Sequence, residues 1–308
     1  MTKYVVTGAG GSIGSALCER LIEMGAERLV LLSLTEGGLY NIERKLRALN
    51  TDAEIVGVLG SVCDVALMGE VCEGSDVVIH AAAHKHVPIC ESNPIAAIEN
   101  NVRGTLTLVN AVEQAGVGQF LLISTDKAVR PVSVMGSTKR VAEMIVSAKV
   151  GSRTIFSTVR FGNVLDSAGS VLPLWREQVA SGLPITLTDP RCERYFMSIP
   201  EACALICGVL DMKRSGTFVP DMGKPKKLID LARSLSSDIR CIGLRPGEKL
   251  TEELNYGGEL GQTSHTKIMS VAEWKYYEVS MLENLLSASA CRDTVFALQT
   301  LRDMVSED

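Results

Sequence analysis

Ser124-Thr125-Asp126-Lys127 sets a hydroxyl, a carboxyl and an amine on consecutive residues. A carboxyl and an amine side by side can give and take protons, provided the amine is partly neutral and the carboxyl partly protonated. Burial works in that direction for both, and the positive charge of Lys139 would lower the Lys127 pKa further. The same two residues on a solvated surface would be an ordinary Asp-Lys neighbour pair, and the pattern alone leaves both readings open. Geometry adds a condition. Adjacent residues on a regular strand face opposite sides, so Asp126 and Lys127 reach one ligand only if the strand has ended or bulged there. Two more segments carry polar chemistry. Met135-x-x-x-Lys139 places a thioether and an amine on one helix face, and Arg160-Phe161-Gly162-Asn163 follows a strand-like run.

Thr7-Gly8-Ala9-Gly10-Gly11-Ser12-Ile13-Gly14 is a glycine-dense turn. Gly8, Gly11 and Gly14 form G-x-x-G-x-x-G, one residue longer than the common dinucleotide fingerprint. Glycines let such a turn close and let backbone N–H groups approach a pyrophosphate at a helix N-terminus. A carboxylate usually ends the second strand of such a unit, to bind a ribose 2′-hydroxyl. That position is Ser33, with Glu36 just beyond. No arginine stands beside Ser33 to favour a 2′-phosphate, so NAD is expected before NADP. Glu36 reads equally as a solvated loop charge.

These residues need a frame. Lys3–Thr7 reads as a strand, Ser12–Met24 as a helix through Ile13, Leu17, Leu21 and Ile22, and Arg28–Leu34 as a buried second strand. A helix over Leu39–Leu49 and strands at Glu54–Leu59 and Ser75–His80 follow. A long helix follows Pro94, then come a strand at Phe120–Ser124, a helix over Val134–Lys149 and a strand at Thr154–Phe161. Strands alternating with helices imply parallel strands joined by crossovers. The expectation is an α/β fold, a Rossmann-type doubly wound parallel sheet with a smaller C-terminal substrate-binding α/β region. We set the dinucleotide-binding domain at residues 1–161 and the mainly substrate-binding region at 162–308, with some later segments returning to the first domain.

The 308 residues carry a net charge of −5 and no basic block, which argues against broad nucleic-acid binding. The first strand-like run starts at Tyr4, and no apolar run nears the ~18 residues a membrane helix needs, so a cytoplasmic protein without a membrane anchor is expected. Nine cysteines without a C-x-x-C read as reduced thiols. Cys203 and Cys207, four apart on an apolar helix, read as core. His84, His86 and Cys90 lack a fourth ligand and a usual spacing, so no metal site is expected.

Several segments together resemble one family. Beside the Thr7–Gly14 turn they are His80–Pro88, Ser124–Pro131, Met135–Arg140, Arg160–Leu165, Arg194–Met197 and Gly243–Lys249. In this order they resemble the UDP-N-acetylglucosamine 4,6-dehydratases, within the extended short-chain dehydrogenases. The resemblance implies oxidation of a UDP-sugar at C4, elimination of water across C5 and C6, and return of the hydride to C6. UDP-N-acetylglucosamine is the favoured substrate and UDP-glucose the other. By similarity Asp126 is the acid and Lys127 the base of the elimination. Dinucleotide contacts are implied for Ser61, Val62, Ala81, Ala82 and Lys139, and substrate contacts for Lys85, His86, Asn163, Arg194, Arg245 and Glu248, with Arg130 as a further candidate.

Met135 departs from the wider superfamily, which has tyrosine there as the base for the sugar hydroxyl. A thioether cannot exchange a proton. Some members of the resembling family also carry methionine, and Thr125 is then the expected relay toward Lys139, with Asp126 as second candidate. Val102, Leu106, Val109, Val141 and Ile145 widen the apolar faces of the two long helices, and equivalent helices pair subunits in related enzymes. A homodimer or larger assembly is therefore expected. A 4-epimerase would share the hydride step without needing the Asp126-Lys127 pair, and a dinucleotide sensor would bind without turnover.

Overall fold

The computed structural model describes residues 2–49, 51–258, 260–272 and 277–306. Its centre is a nine-stranded sheet. β1 (Thr2–Thr7), β2 (Ala26–Ser33), β3 (Glu54–Leu59), β4 (Val77–His80), β5 (Gln119–Thr125), β6 (Ile155–Phe161) and β11 (Gly216–Pro220) run parallel, in the order β3-β2-β1-β4-β5-β6-β11. β15 (Ile268–Val271) and β14 (Leu260–Gln262) extend the β11 edge antiparallel. Strand order reverses between β1 and β4, which opens a crevice at their carboxyl ends.

Alternation along the strands splits the core into two layers. Val30 and Leu32 of β2 face one side, where α3 (Val65–Cys72), α6 (Gly104–Gln114) and α7 (Val134–Ser147) pack. Leu29 and Leu31 face the other, against α1 (Ser12–Glu23), α2 (Glu36–Arg47) and α9 (Ile199–Asp211). Cys203 and Cys207 lie buried in that second layer, as their spacing suggested. Side-chain caps start some of the helices. Asp64 accepts from Leu67 N, Ser133 accepts from Gly136 N, and Ser198 and Glu201 form a capping box. No helix among the described residues is long and apolar enough to cross a membrane.

Later segments divide between two places. β11, β14, β15 and α9 join the large sheet, whereas α8 (Val171–Ala180), β8 (Ile185–Leu187), α10 (Leu228–Arg233) and β13 (Ile239–Cys241) form a small lobe. The lobe closes over Trp175, Ile185, Leu187 and Leu228, and Trp175 Nε1 donates to the Thr186 carbonyl at 2.8 Å. Two short ladders tie it to the sheet ends: β7 (Asn163–Val164) with β10 (Phe196–Met197), and β9 (Glu193–Arg194) with β12 (Lys226–Lys227).

Two expectations change. The helix after Pro94 is not one regular helix. α5 (Pro94–Ile98) passes into a π-helical turn at Glu99–Arg103 before α6 begins. The apolar residues taken for a subunit contact are also covered from within the chain. Val102, Val109, Val141 and Ile145 are buried in one layer with residues of α11 (Val279–Ala290) and α12 (Thr294–Val305), with Leu106 packed alongside. Leu282, Leu285 and Ala288 of α11, with Ala297, Leu301 and Met304 of α12, recur at helical spacing and complete that layer. Arg103 Nη2 adds a hydrogen bond to the Leu286 carbonyl at 2.7 Å. Leu285→Ala should therefore lower unfolding free energy by ~2–5 kcal/mol in a denaturant titration, the range for a buried leucine in a packed core. A change below 1 kcal/mol by that same scale would mean that the hairpin is not part of the cooperative core.

Candidate active site

A cavity of about 780 Å³ opens at the carboxyl ends of the central strands. The turn after β1 brings Gly8, Gly11, Ser12, Ile13 and Gly14 to its wall, and the segment after β4 brings Ala81, Lys85 and His86. Thr125 and Lys127 follow β5, Met135 and Lys139 come from α7, and Asn163 follows β6. Ser33, Glu36, Ser61, Val62, Ala82, Asp126, Arg194, Arg245 and Glu248 are not on that wall.

The glycine turn has no space for side chains. Gly8 has φ +70°, and a Cβ there would meet Ala82 N at 2.7 Å. A Cβ on Gly14 would sit 2.2 Å from the Gly8 carbonyl oxygen. A Cβ on Gly10 would clash at 2.8 Å with Gly38, in the first turn of α2. Gly11 caps α1 without a side-chain hydrogen bond, and no acidic residue stands in the first turn. The open N–H groups of α1 thus face the cavity as an anion cradle. Beneath the turn, the buried His80 ring bridges Thr7 Oγ1 at 2.7 Å and Thr105 Oγ1 at 3.0 Å. Burial drops its pKa to about 3, with Lys139 adding to the drop, so it stays neutral and ties β1 to α6. These residues fit a dinucleotide pyrophosphate.

Ser33 does end β2, but its hydroxyl turns into its own loop, donating to the Thr35 carbonyl and accepting from Thr35 N. Glu36 is exposed at the start of α2. Ser61 Oγ accepts from Cys63 N at 3.1 Å, and Val62 is buried against Gly104.

The strand ends where Asp126 and Lys127 would have to leave it to reach one side. β5 stops at Thr125, and Asp126–Ala128 turn as a 3-10 helix. Lys127 can therefore fold back beside its neighbour, its Nζ 2.9 Å from Asp126 Oδ1 and 3.3 Å from Asn163 Oδ1. Thr125 Oγ1 donates to the same Asp126 oxygen at 2.9 Å. Asp126 is fully buried, and its Oδ2 has no partner among the described residues. Gly162 makes room for that oxygen, since a Cβ there would stand 3.2 Å away.

Two corrections follow. Burial pulls the Lys127 pKa down and Arg194 adds to that, but the carboxylates of Asp126 and Glu252 raise it by more. The net shift is upward, against the lowering expected from sequence. The Thr125 hydroxyl points its proton at Asp126, so its hydrogen bond leads there rather than to Lys139. Glu252 is the residue that sequence reading missed. It is 3% exposed, with Oε1 3.7 Å from Lys127 Nζ.

Lys139 behaves in the opposite way. Burial brings its pKa down to about 8 although Glu143 opposes the change, and its Nζ donates to the Ile123 carbonyl at 2.8 Å. Met135 lies one turn away on α7, packed with Val87, Cys90 and Ala97. Behind both, Glu143 accepts from Ser124 Oγ at 2.5 Å and from Arg160 Nε and Nη2 at 2.8 and 2.7 Å. Asn101, in the π-helical turn, grips the segment after β4. It accepts from His84 N and donates to the His84 carbonyl and Thr138 Oγ1. Single π turns inside helices are frequent at functional sites.

The outer rim is less uniform. Lys85 Nζ donates to the Ala168 carbonyl, and Ala168 N donates to Ser12 Oγ, so residues 167–170 bridge the glycine turn and the Lys85 side. Arg194 is buried, its guanidinium donating to the carbonyls of Glu193, Lys249 and Leu250. Arg245 is exposed, with its N–H directed at Glu248 Oε2 at 3.3 Å. Arg130 pairs with Glu253, the Tyr256 carbonyl and the Tyr256 ring. Among the described residues no His, Cys, Asp or Glu cluster is placed to hold a metal.

Comparison with known proteins matches this fold. The capsular polysaccharide biosynthesis protein CapD of Staphylococcus aureus is 44% identical over 265 residues, covering 81% of this chain and 44% of that protein. The chain thus spans less than half the length of that curated relative. A UDP-glucose 4-epimerase of Rickettsia canadensis is 33% identical over 264 residues, covering 81% of this chain and 76% of that protein. The X-ray structure of Pen from Bacillus thuringiensis superposes with a TM-score of 0.81 at 28% identity, covering 89% of this chain and 90% of that one. The family profile described as polysaccharide biosynthesis protein matches residues 4–273, and the chain belongs to that family.

Proposed function

We propose that this chain is a nucleotide-sugar 4,6-dehydratase acting on a UDP-hexose, with UDP-N-acetylglucosamine as the favoured substrate and NAD as the favoured cofactor. The observation that carries this reading is the Thr125–Asp126–Lys127 cluster, gathered around one carboxylate oxygen at the end of β5 beside the glycine turn. The nicotinamide, when bound, supplies the hydride chemistry, removal from sugar C4 and return to C6. Gly8, Gly11 and Gly14 would leave room for its pyrophosphate at the start of α1, and Lys139 stands on the same wall.

The protein's own residues then move three protons in balance. The C4 hydroxyl gives its proton to Thr125 Oγ1 as the Thr125 proton passes to Asp126. Lys127 in its neutral form takes the C5 proton, made acidic by the new C4 ketone, and the C6 hydroxyl leaves as water with the proton held by Asp126. Lys127 returns its proton to C5 as the hydride reaches C6. Asp126 begins and ends as a carboxylate, and Met135 needs no proton to give. Lys85, His86 and Asn163 border the sugar, and Arg194, Arg245 and Glu248 stand toward the nucleotide side in this reading.

A second reading is a 4-epimerase, favoured by the 33% identity to the Rickettsia canadensis UDP-glucose 4-epimerase. Mass spectrometry of products from a panel of nucleotide sugars with NAD or NADP separates the two. Loss of one water is expected, largest with UDP-N-acetylglucosamine and NAD; an isomer of unchanged mass would replace this reading with the epimerase. Thr125→Val should lower kcat on the order of 10²-fold, the lower range for a lost proton-transfer group, with the thermal midpoint held. Full turnover in that variant would remove Thr125 from the relay. The rise in the Lys127 pKa sets the sign of pH dependence. The ammonium is inert as a base, so kcat should climb with pH through the alkaline range, and a flat profile would argue against Lys127 as the C5 base.

A further inference from the structure

Glu252 belongs to none of the segments that carry the chemistry, yet the fold delivers it to Lys127. The chain at residues 249–252 is clamped to β9. Glu193 N donates to the Leu250 carbonyl at 2.9 Å, and Glu193 and Thr251 form a parallel bridge. Arg194 Nη1 holds the Leu250 carbonyl at 2.9 Å and Nη2 the Lys249 carbonyl at 2.8 Å. This clamp leaves the Glu252 carboxylate buried, with Oε1 3.7 Å from Lys127 Nζ and 4.0 Å from Arg194 Nε. Oε2 has no hydrogen-bond partner among the described residues. A buried carboxylate so poorly satisfied costs stability, and such a group is kept where its charge is needed.

We propose that Glu252 is a positioning residue whose carboxylate holds Lys127 in place and stabilises the ammonium formed when Lys127 takes the C5 proton. This rests on the dehydratase reading above. In the step concerned, the C5–H bond breaks and an N–H bond forms on Nζ. The freed electron pair becomes the C5–C6 double bond as the C6–O bond breaks, and water leaves with the proton from Asp126. Three charged groups bear on Lys127 there: Asp126, Glu252 and Arg194, with the neutral Asn163 amide beside them. Asp126 enters this step neutral, having taken the C4 proton, and regains its charge only as that proton leaves with the water, so Glu252 is the carboxylate that faces the ammonium as it begins to form. The buried acid behind a catalytic histidine works by the same logic, orienting the base and stabilising its protonated form.

The test compares Glu252→Gln and Glu252→Asp with the wild-type chain in single turnovers with UDP-N-acetylglucosamine and NAD. Oxidation at C4 is read by the absorbance of reduced nicotinamide and elimination by mass spectrometry. Glu252→Gln should oxidise at close to the wild-type rate and accumulate reduced cofactor, while water loss slows on the order of 10²-fold. Its rising pH limb should move to lower pH, because a carboxylate that raises the Lys127 pKa is gone. Glu252→Asp should recover much of the elimination rate. Elimination at the wild-type rate, an unmoved pH limb, or equal loss of both steps would overturn the assignment. If Glu252→Gln does not fold, Glu252→Asp decides alone: slowed elimination with oxidation intact supports the role, and equal loss of both steps refutes it. A wild-type chain that removes no water would take away the dehydratase reading and this role together, whereas a working wild type with an indifferent Glu252→Gln would take away this role alone.

Discussion

The buried ion pair between Glu143 and Arg160 fixes the geometry on which the site depends. Glu143 stands one turn after Lys139 on α7, Arg160 lies near the end of β6, and Ser124, which also binds Glu143, precedes Thr125 on β5. One carboxylate thus sets the helix carrying Lys139 against the two strand ends that carry Thr125, Lys127 and Asn163. Arg140 approaches the same carboxylate at 3.2 Å, and these charges hold the Glu143 pKa low although burial pushes it up. A charge at this depth is tolerated only with its partners in place, so the arrangement has little freedom to slide.

That frame gives two lysines opposite characters. Lys139 has a carbonyl oxygen for a partner and is drawn toward neutrality by burial. Lys127 has two carboxylates within 3.7 Å and is held charged. Environments that push two like groups apart are how one fold divides acid and base duties. The methionine at 135 fits this division. In the proposed reaction, a proton leaving through Thr125 toward Asp126 would bypass the helix position where a hydroxyl would otherwise be needed.

The strands and the glycine turn were legible because their signals are local. Apolar runs such as Arg28–Leu34 and the spacing of Gly8, Gly11 and Gly14 depend on neighbours within a few residues. The end of β5 was legible as a requirement, since Asp126 and Lys127 could not otherwise meet. What escaped was long-range. Glu252 reaches Lys127 from far along the chain through a backbone clamp that leaves no periodic trace. The π turn around Asn101 keeps the apolar spacing of a helix while shifting its register. The extra apolar faces of α6 and α7 were read correctly as buried, but sequence alone does not say which surface returns, and on α7 it is α12 of the same chain.

The answer to that last question has a consequence for biosynthesis. Leu286 is joined to Arg103 across most of the chain's length, and α12 lies on α7. Helices α5 to α7 are translated long before their cover exists. A nascent chain therefore carries a bare apolar layer while synthesis proceeds from α7 to α12. Such exposure is what chaperones recognise and what drives aggregation of unfinished chains. Closure of this layer is a late event, and the outer face of α7 is sealed only when α12 has emerged.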